Sequence, residues 1–193
     1  MSTSYPAFVP EHGYLFISLL VLAIQMLICA FCAGRIRNQV FTKKFMEDNF
    51  GEIHFRETRN STPIGGFPDM GCGRYSDKLT YYDWFRLNNA QRNHYSYLEN
   101  FSVIALTLLI GGIYYPFYST VFAIGIFISR ILYGFYLTPK GVASAFRRTG
   151  EFFQNLLLFG ALIVALVSAY QLTKLGSQLS QPKISTTNSF IAS

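Results

Sequence analysis

Residues 14–33 form an unbroken run without a single charge, closed by Arg35 and Arg37. As a helix, such a run is about 30 Å long, the thickness of a bilayer's hydrocarbon core. Few folds accept a segment like this, because each backbone polar group in lipid must be satisfied internally. Two further apolar runs, 119–137 and 152–172, repeat the pattern; the first carries only Arg130. Hydrophobic residues make up 51% of the chain and charged residues 13%, with the charges confined to clusters. The expectation is an all-α membrane protein. The net charge of +6 then reflects membrane orientation, and nucleic acid is excluded as a partner.

A fourth span is expected over 82–115, with Pro116 ending it. The expected membrane domain thus has helices at about 14–34, 82–115, 119–137 and 152–172. A long polar loop covers 40–83, and a loosely held Ser/Thr/Gln-rich tail covers 173–193. Residues 1–13 contain no Lys or Arg, which argues against a signal-peptide n-region or an Arg-rich presequence. Basic residues gather on the side holding the first and third connectors: Arg35, Arg37, Lys43, Lys44, Arg56, Arg59, Arg74, Lys78, Lys140, Arg147 and Arg148. Lys174 and Lys183 lie on the other. Both termini are therefore expected on the lumenal or intermembrane-space side.

Cys29 and Cys32 read as small core hydrophobes, and Cys72 as an unpaired loop thiol. His94 has no partner suited to a metal, and His12 and His54 fall on opposite sides; no metal site is expected.

The polar stretch 88–99 runs into the apolar stretch 101–115 with no Gly or Pro between them. Ionisable groups there are costly and usually functional. Asn88, Arg92, Ser96 and Glu99 follow steps of four, four and three, which places them on one face. Arg92 and Glu99, about 10 Å apart along the axis, stand too far apart for a pair between neighbouring turns and suit the two ends of a zwitterion. Arg130 and Tyr133 share a face of the next helix. Arg35, Arg37, Arg147 and Arg148 add a cationic rim, although such arginines are most often surface anchors that snorkel. An interhelical salt bridge competes with a substrate site as the reason for Arg92, Glu99 and Arg130. Asn88, Gln91 and Asn93 have a plain alternative as groups that hydrate a projecting helix.

The order Asn88, Gln91, Arg92, His94, Glu99 resembles the second-helix signature of the MAPEG family, membrane-associated proteins in eicosanoid and glutathione metabolism. Residues 11–14 (Glu-His-Gly-Tyr), 111–116 (Gly-Gly-Ile-Tyr-Tyr-Pro) and 129–134 (Ser-Arg-Ile-Leu-Tyr-Gly) follow in the family's order. The branch it looks most like is the microsomal glutathione transferase with peroxidase activity. The resemblance implies a four-helix protomer in a homotrimer, with glutathione bound between protomers. Arg92 and Glu99 would grip the tripeptide, with Arg35, Asn88, Ser96, Arg130 and Tyr133 around it. Arg147 or Arg148 would activate the thiol. The substrate would be a lipophilic electrophile or lipid hydroperoxide arriving from the membrane, in the endoplasmic reticulum or a mitochondrion. Two positions depart from the family's pattern, Ser96 for an Asn and Leu137 for a Tyr, and the 40–83 loop replaces a short connector. These departures set a second expectation: a non-catalytic MAPEG-like subunit of a larger membrane complex, possibly of the mitochondrial inner membrane, docking through loop 40–83 and tail 173–193.

Overall fold

A computed structural model describes residues 8–134 and 145–180. The breaker at 138–141, Leu137, and the tail beyond Ser180 lie outside the described residues. Among those described, every regular element is helical: α1 Pro10–Val40, α2 Lys43–Thr58, α3 Tyr81–Gly112, α4 Pro116–Gly134 and α5 Ala145–Ser180, with 3₁₀ turns at Ile64–Gly66 and Ser76–Lys78.

Among the described residues, three helices are long and apolar enough to cross a membrane: α1, α4 and α5. Their apolar side chains mostly point away from the protein. Leu20, Ile24, Leu27 and Phe31 on α1 and Phe159, Ile163 and Leu166 on α5 are exposed, as expected where lipid replaces water around a bundle. α3 does not meet that description, because its first half is polar. It nevertheless packs along α1, α4 and α5.

The bundle has two cores. Leu15, Leu22, Ile104, Leu108, Ala123, Ile126 and Ala161 fill the membrane end. Ala33, Ile36, Val40, Phe41, Met46, Leu87 and Ala90 fill the end that carries the 41–80 insertion.

The segment expected as a polar loop therefore holds a helix and two turns. Thr42 caps α2 by accepting from the Phe45 N–H at 3.2 Å, and Thr80 caps α3 in the same way through Asp83. Phe45, Phe50 and Tyr75 seal the insertion onto the second core, with Phe50 and Tyr75 edge to face at 4.8 Å. α5 also runs beyond the expected span at both ends. Its first turns lie in the expected connector and its last in the expected tail.

α4 and α5 approach each other closely at Gly150. A Cβ there would lie 2.6 Å from the Tyr133 nitrogen and 2.7 Å from the Ser129 oxygen, both backbone atoms that cannot yield. Gly150→Ala is expected to push the helices apart and destabilise the protein by about 1–3 kcal/mol, read as a lowered thermal midpoint in detergent; an unchanged midpoint would contradict this packing.

Candidate functional site

Arg147, Gly150 and Gln154 recur on α5 in steps of three and four and are all buried. The close approach at Gly150 therefore aims the flanking side chains into the α3–α4–α5 seam. Arg147, 6% exposed, donates to the Tyr133 hydroxyl at 2.9 Å and to Asn89 Oδ1 at 3.4 Å. Its guanidinium also lies 4.6 Å from the Tyr133 ring centroid. Arg148 points the other way and is exposed. Sequence left these two arginines equivalent; helix phase separates them.

About one helix turn deeper, Arg130 is 4% exposed. Its Nη1 donates to Ser96 Oγ at 3.3 Å, and its carbon Cζ lies 4.1 Å from the Tyr97 ring centroid. Nε and Nη2 of Arg130 find no hydrogen-bond partner among the described residues, nor does the buried Gln154 Oε1. Buried donors left unpaired cost free energy and are uncommon. The aromatic faces of Tyr97 and Tyr133 offset part of the charge's burial.

The α3 face expected from the four-four-three spacing divides. Each four-residue step overshoots a helical turn by about 40°, so Ser96 sits some 80° round from Asn88 and turns into the bundle. Arg92 and Glu99 stay outside, with side chains 60% and 59% exposed. They also pair directly, Nη1 to Oε1 at 3.7 Å. That corrects the expectation that two turns are too far: each side chain extends along the axis to meet the other. An exposed pair of this kind adds little stability.

Asn88 belongs to neither group, because its amide donates to the carbonyls of Gly71 and Trp84, both at 2.9 Å. Arg35 is exposed in the last turns of α1.

Sequence reasoning did not single out Asn89 or Tyr97 and read Asn93 as a hydrating group. Asn89, Asn93, Ser96 and Tyr97 recur at steps of four, three and one and are all buried, so they form an inward polar stripe. Asn93, expected to hydrate a projecting helix, instead points its amide toward Cys29 Sγ at 3.7 Å. The Tyr97 hydroxyl has two acceptors within hydrogen-bond range for its one proton, the Leu22 carbonyl at 3.0 Å and Gln25 Oε1 at 2.9 Å.

Arg37, expected to be a surface anchor, is 5% exposed. It donates to the carbonyls of Gly65 at 2.7 Å, Gly66 at 3.1 Å, and Asp69, and its guanidinium stacks on Phe67 at 3.9 Å. Gln91, with its amide turned to satisfy both neighbours, donates to the Met70 carbonyl and accepts from Arg37 Nη1 at 3.2 Å. Glycine is required at 65 and 66. Both have positive φ, and a Cβ on Gly66 would lie 2.6 Å from the Phe41 ring.

Asp69 organises the rest of the insertion. Its carboxylate accepts from the backbone N–H groups of Gly71 (2.7 Å), Gly73 (3.0 Å) and Ser76 (2.8 Å), and from the Ser76 hydroxyl at 2.7 Å. Burial opposes its charge, but these hydrogen bonds, led by that of the Ser76 side chain, outweigh burial and hold the carboxyl below the usual carboxylate range. A depressed native value means that ionised Asp69 stabilises the fold above the unfolded value, near pH 4. That contribution is lost as pH falls through the native value. Amide exchange at 71, 73 and 76, corrected for intrinsic rates, is expected to lose protection below about pH 4 in wild type and not in Asp69→Asn, which already lacks it. A pH-independent difference would contradict this role.

A profile of the MAPEG family matches residues 15–168, which covers most of α1, the insertion, α3, α4 and most of α5. No curated protein and no solved structure matches the chain.

Proposed function

Because the chain belongs to the MAPEG family, we propose that it is a glutathione-dependent transferase or peroxidase acting on lipophilic electrophiles or lipid hydroperoxides within a membrane. The observation that carries this reading is the buried guanidinium of Arg130, with two donors unspent, set beside the Arg147–Tyr133 pair. The family implies glutathione, and the residues present fit an anionic peptide. A carboxylate or thiolate would satisfy the open donors of Arg130, and exposed Arg92 and Glu99 offer one partner each for the peptide's carboxylate and ammonium ends. Glutathione supplies a sulfur nucleophile when bound.

The chain's own residues do the rest. Arg147 holds positive charge in a place sheltered from water, where it favours thiolate over thiol. Tyr133, accepting from Arg147, keeps its own proton available to donate to a developing anion. Ser96 carries a hydroxyl that accepts from Arg130, so the short side chain still holds that guanidinium in place. Arg148, solvated, is a membrane-surface cation. The protein works as a homotrimer embedded in lipid, with a neighbouring protomer closing the Arg92–Glu99 side and both termini on the lumenal or intermembrane-space face of an endoplasmic-reticulum or mitochondrial membrane.

Isothermal titration of the purified protein is expected to show saturable glutathione binding at millimolar concentration or below. Arg92→Ala and Glu99→Ala should each weaken it about tenfold, the loss of one charge-assisted hydrogen bond. No heat at millimolar glutathione would sink the proposal.

A second reading, a non-catalytic subunit of a larger membrane complex, has one observation in its favour. The insertion is tightly organised, yet leaves Ile64 87% and Phe67 56% exposed. Purification as a free homotrimer whose insertion exchanges with solvent as rapidly as an exposed surface would count against it.

A further inference from the structure

The face of α2 that runs on from Met46 and the second core carries Phe50, Ile53, His54, Glu57 and Thr58, at steps of three, one, three and one. It forms one wall of a groove of about 720 Å³. The segment 68–78 forms the other wall, with Met70, Cys72 and Tyr75 among its members. The volume lies in the range of small-molecule sites, and the walls are mainly apolar. The groove is also held open. The four hydrogen bonds to Asp69 fix one wall, the Thr42 cap starts the other, and the Phe50–Tyr75 contact ties the two together. None of these residues belongs to the arginine cluster.

Charge at the rim is uneven. Arg74 and Lys78 line it. Of the acids lining it, Asp69 is spent on its own loop and Glu57 lies against Arg56 at 3.1 Å, which leaves Asp77. The insertion leaves the bundle just after α1, an apolar helix long enough to cross a membrane, and rejoins it at α3, so both its ends lie at one end of the bundle. Met70 borders this groove and also a smaller cavity of about 270 Å³ shared with Gln91, His94 and Tyr95. The Tyr95 hydroxyl approaches Met70 Sδ at 3.6 Å, and His94 Nδ1 is buried without a hydrogen-bond partner among the described residues. Gln91, His94 and Tyr95 bracket Arg92 in sequence on α3.

We propose that this groove binds a single-chain lipid carboxylate. Its head is held by Arg74 and Lys78, and its chain lies along the α2 face and passes Met70 toward Tyr95. The proposal deepens the reading above, on which it rests for the lipid's role as second substrate. The insertion would then select the lipid and deliver its chain to the Arg92 side of α3. A bilayer surface is where such amphiphiles concentrate, and a basic rim over an apolar trough suits one charge on one chain.

The test uses full-length protein in nanodiscs of zwitterionic phospholipid, with a diazirine-bearing palmitic acid and its methyl ester as probes. The acid is expected to label peptides covering 50–58 and 70–75. Ile53→Asp should lower that labelling at least fivefold. The double variant Arg74→Glu, Lys78→Glu changes only rim side chains, and should lower labelling by the acid at least threefold while leaving the ester unchanged. Labelling confined to α1, α4 and α5, or acid labelling that the double variant leaves intact, would overturn the proposal. Glutathione titration on the same samples separates the two ideas. Groove labelling without glutathione binding defeats the transferase reading alone, and glutathione binding without groove labelling defeats the groove alone.

Discussion

Arg37→Met is expected to destabilise the insertion by about 3 kcal/mol or more and to release residues 64–76 from the bundle. The substitution keeps much of the aliphatic stem against Phe41 and Phe67 but removes the donors for three backbone carbonyls, those of Gly65, Gly66 and Asp69. The Gly66 carbonyl keeps the Asp69 N–H at 2.9 Å, but those of Gly65 and Asp69 lose their donor, and each such loss in a buried place costs about 1–3 kcal/mol. Gln91 also loses the donor facing its oxygen. Arg37→Lys should recover little of the loss, because an ammonium is a point charge and cannot reproduce a planar fork reaching several oxygens. Hydrogen exchange reads the result directly. Amides of 66–76 should lose protection in both variants, while those of α4 and α5 keep theirs. Unchanged exchange in Arg37→Met would mean that the insertion is held by its apolar contacts alone.

Arg147→Met is expected to lower kcat/KM for glutathione conjugation about 100-fold, and Arg148→Met less than about threefold. Thiol pKa values fall by roughly one to several units beside a cation, and two units correspond to about 100-fold in thiolate at neutral pH. Only the buried arginine is placed to have that effect. The rate–pH profile distinguishes electrostatics from packing: in Arg147→Met the rising limb should shift to higher pH by about the same two units. A lowered rate with an unshifted limb would assign Arg147 to holding Tyr133 in place. A large loss in Arg148→Met with none in Arg147→Met would reverse the assignment.

The parts of this fold that could be read from sequence are those whose signal is local. α1, α4 and α5 announce themselves as apolar runs, since lipid demands the same character along the whole exposed face. α2 gives no such signal. It buries little more than Met46, and its charges, Lys43, Lys44, Glu47, Asp48 and Glu52, are those of a solvated helix. What fixes it is a cap and an aromatic contact with Tyr75, distant in sequence.

The site shows the same division. Arg130 and Tyr133 stood out because a lone charge in an apolar run is expensive. Arg35 and Arg37 looked alike, although two residues on a helix are about 200° apart. Arg37 falls in register with Ala33, Ile36 and Val40, the inward stripe, and that phase was the available clue. Its partners were not, because the carbonyls it binds come from Gly65, Gly66 and Asp69, some thirty residues later. The Arg92–Glu99 contact was misjudged for a different reason: axial rise between backbones was counted and side-chain reach was not.

The central claim is that Arg147 and Arg130 make a buried cationic seat that turns bound glutathione into its thiolate. The most direct measurement is the ultraviolet difference spectrum of the purified protein as glutathione is added at neutral pH. The claim predicts a saturable thiolate absorbance with close to one thiolate per occupied site, lost in Arg147→Met and retained in Arg148→Met. Glutathione that saturates the protein and remains wholly as the thiol would contradict it.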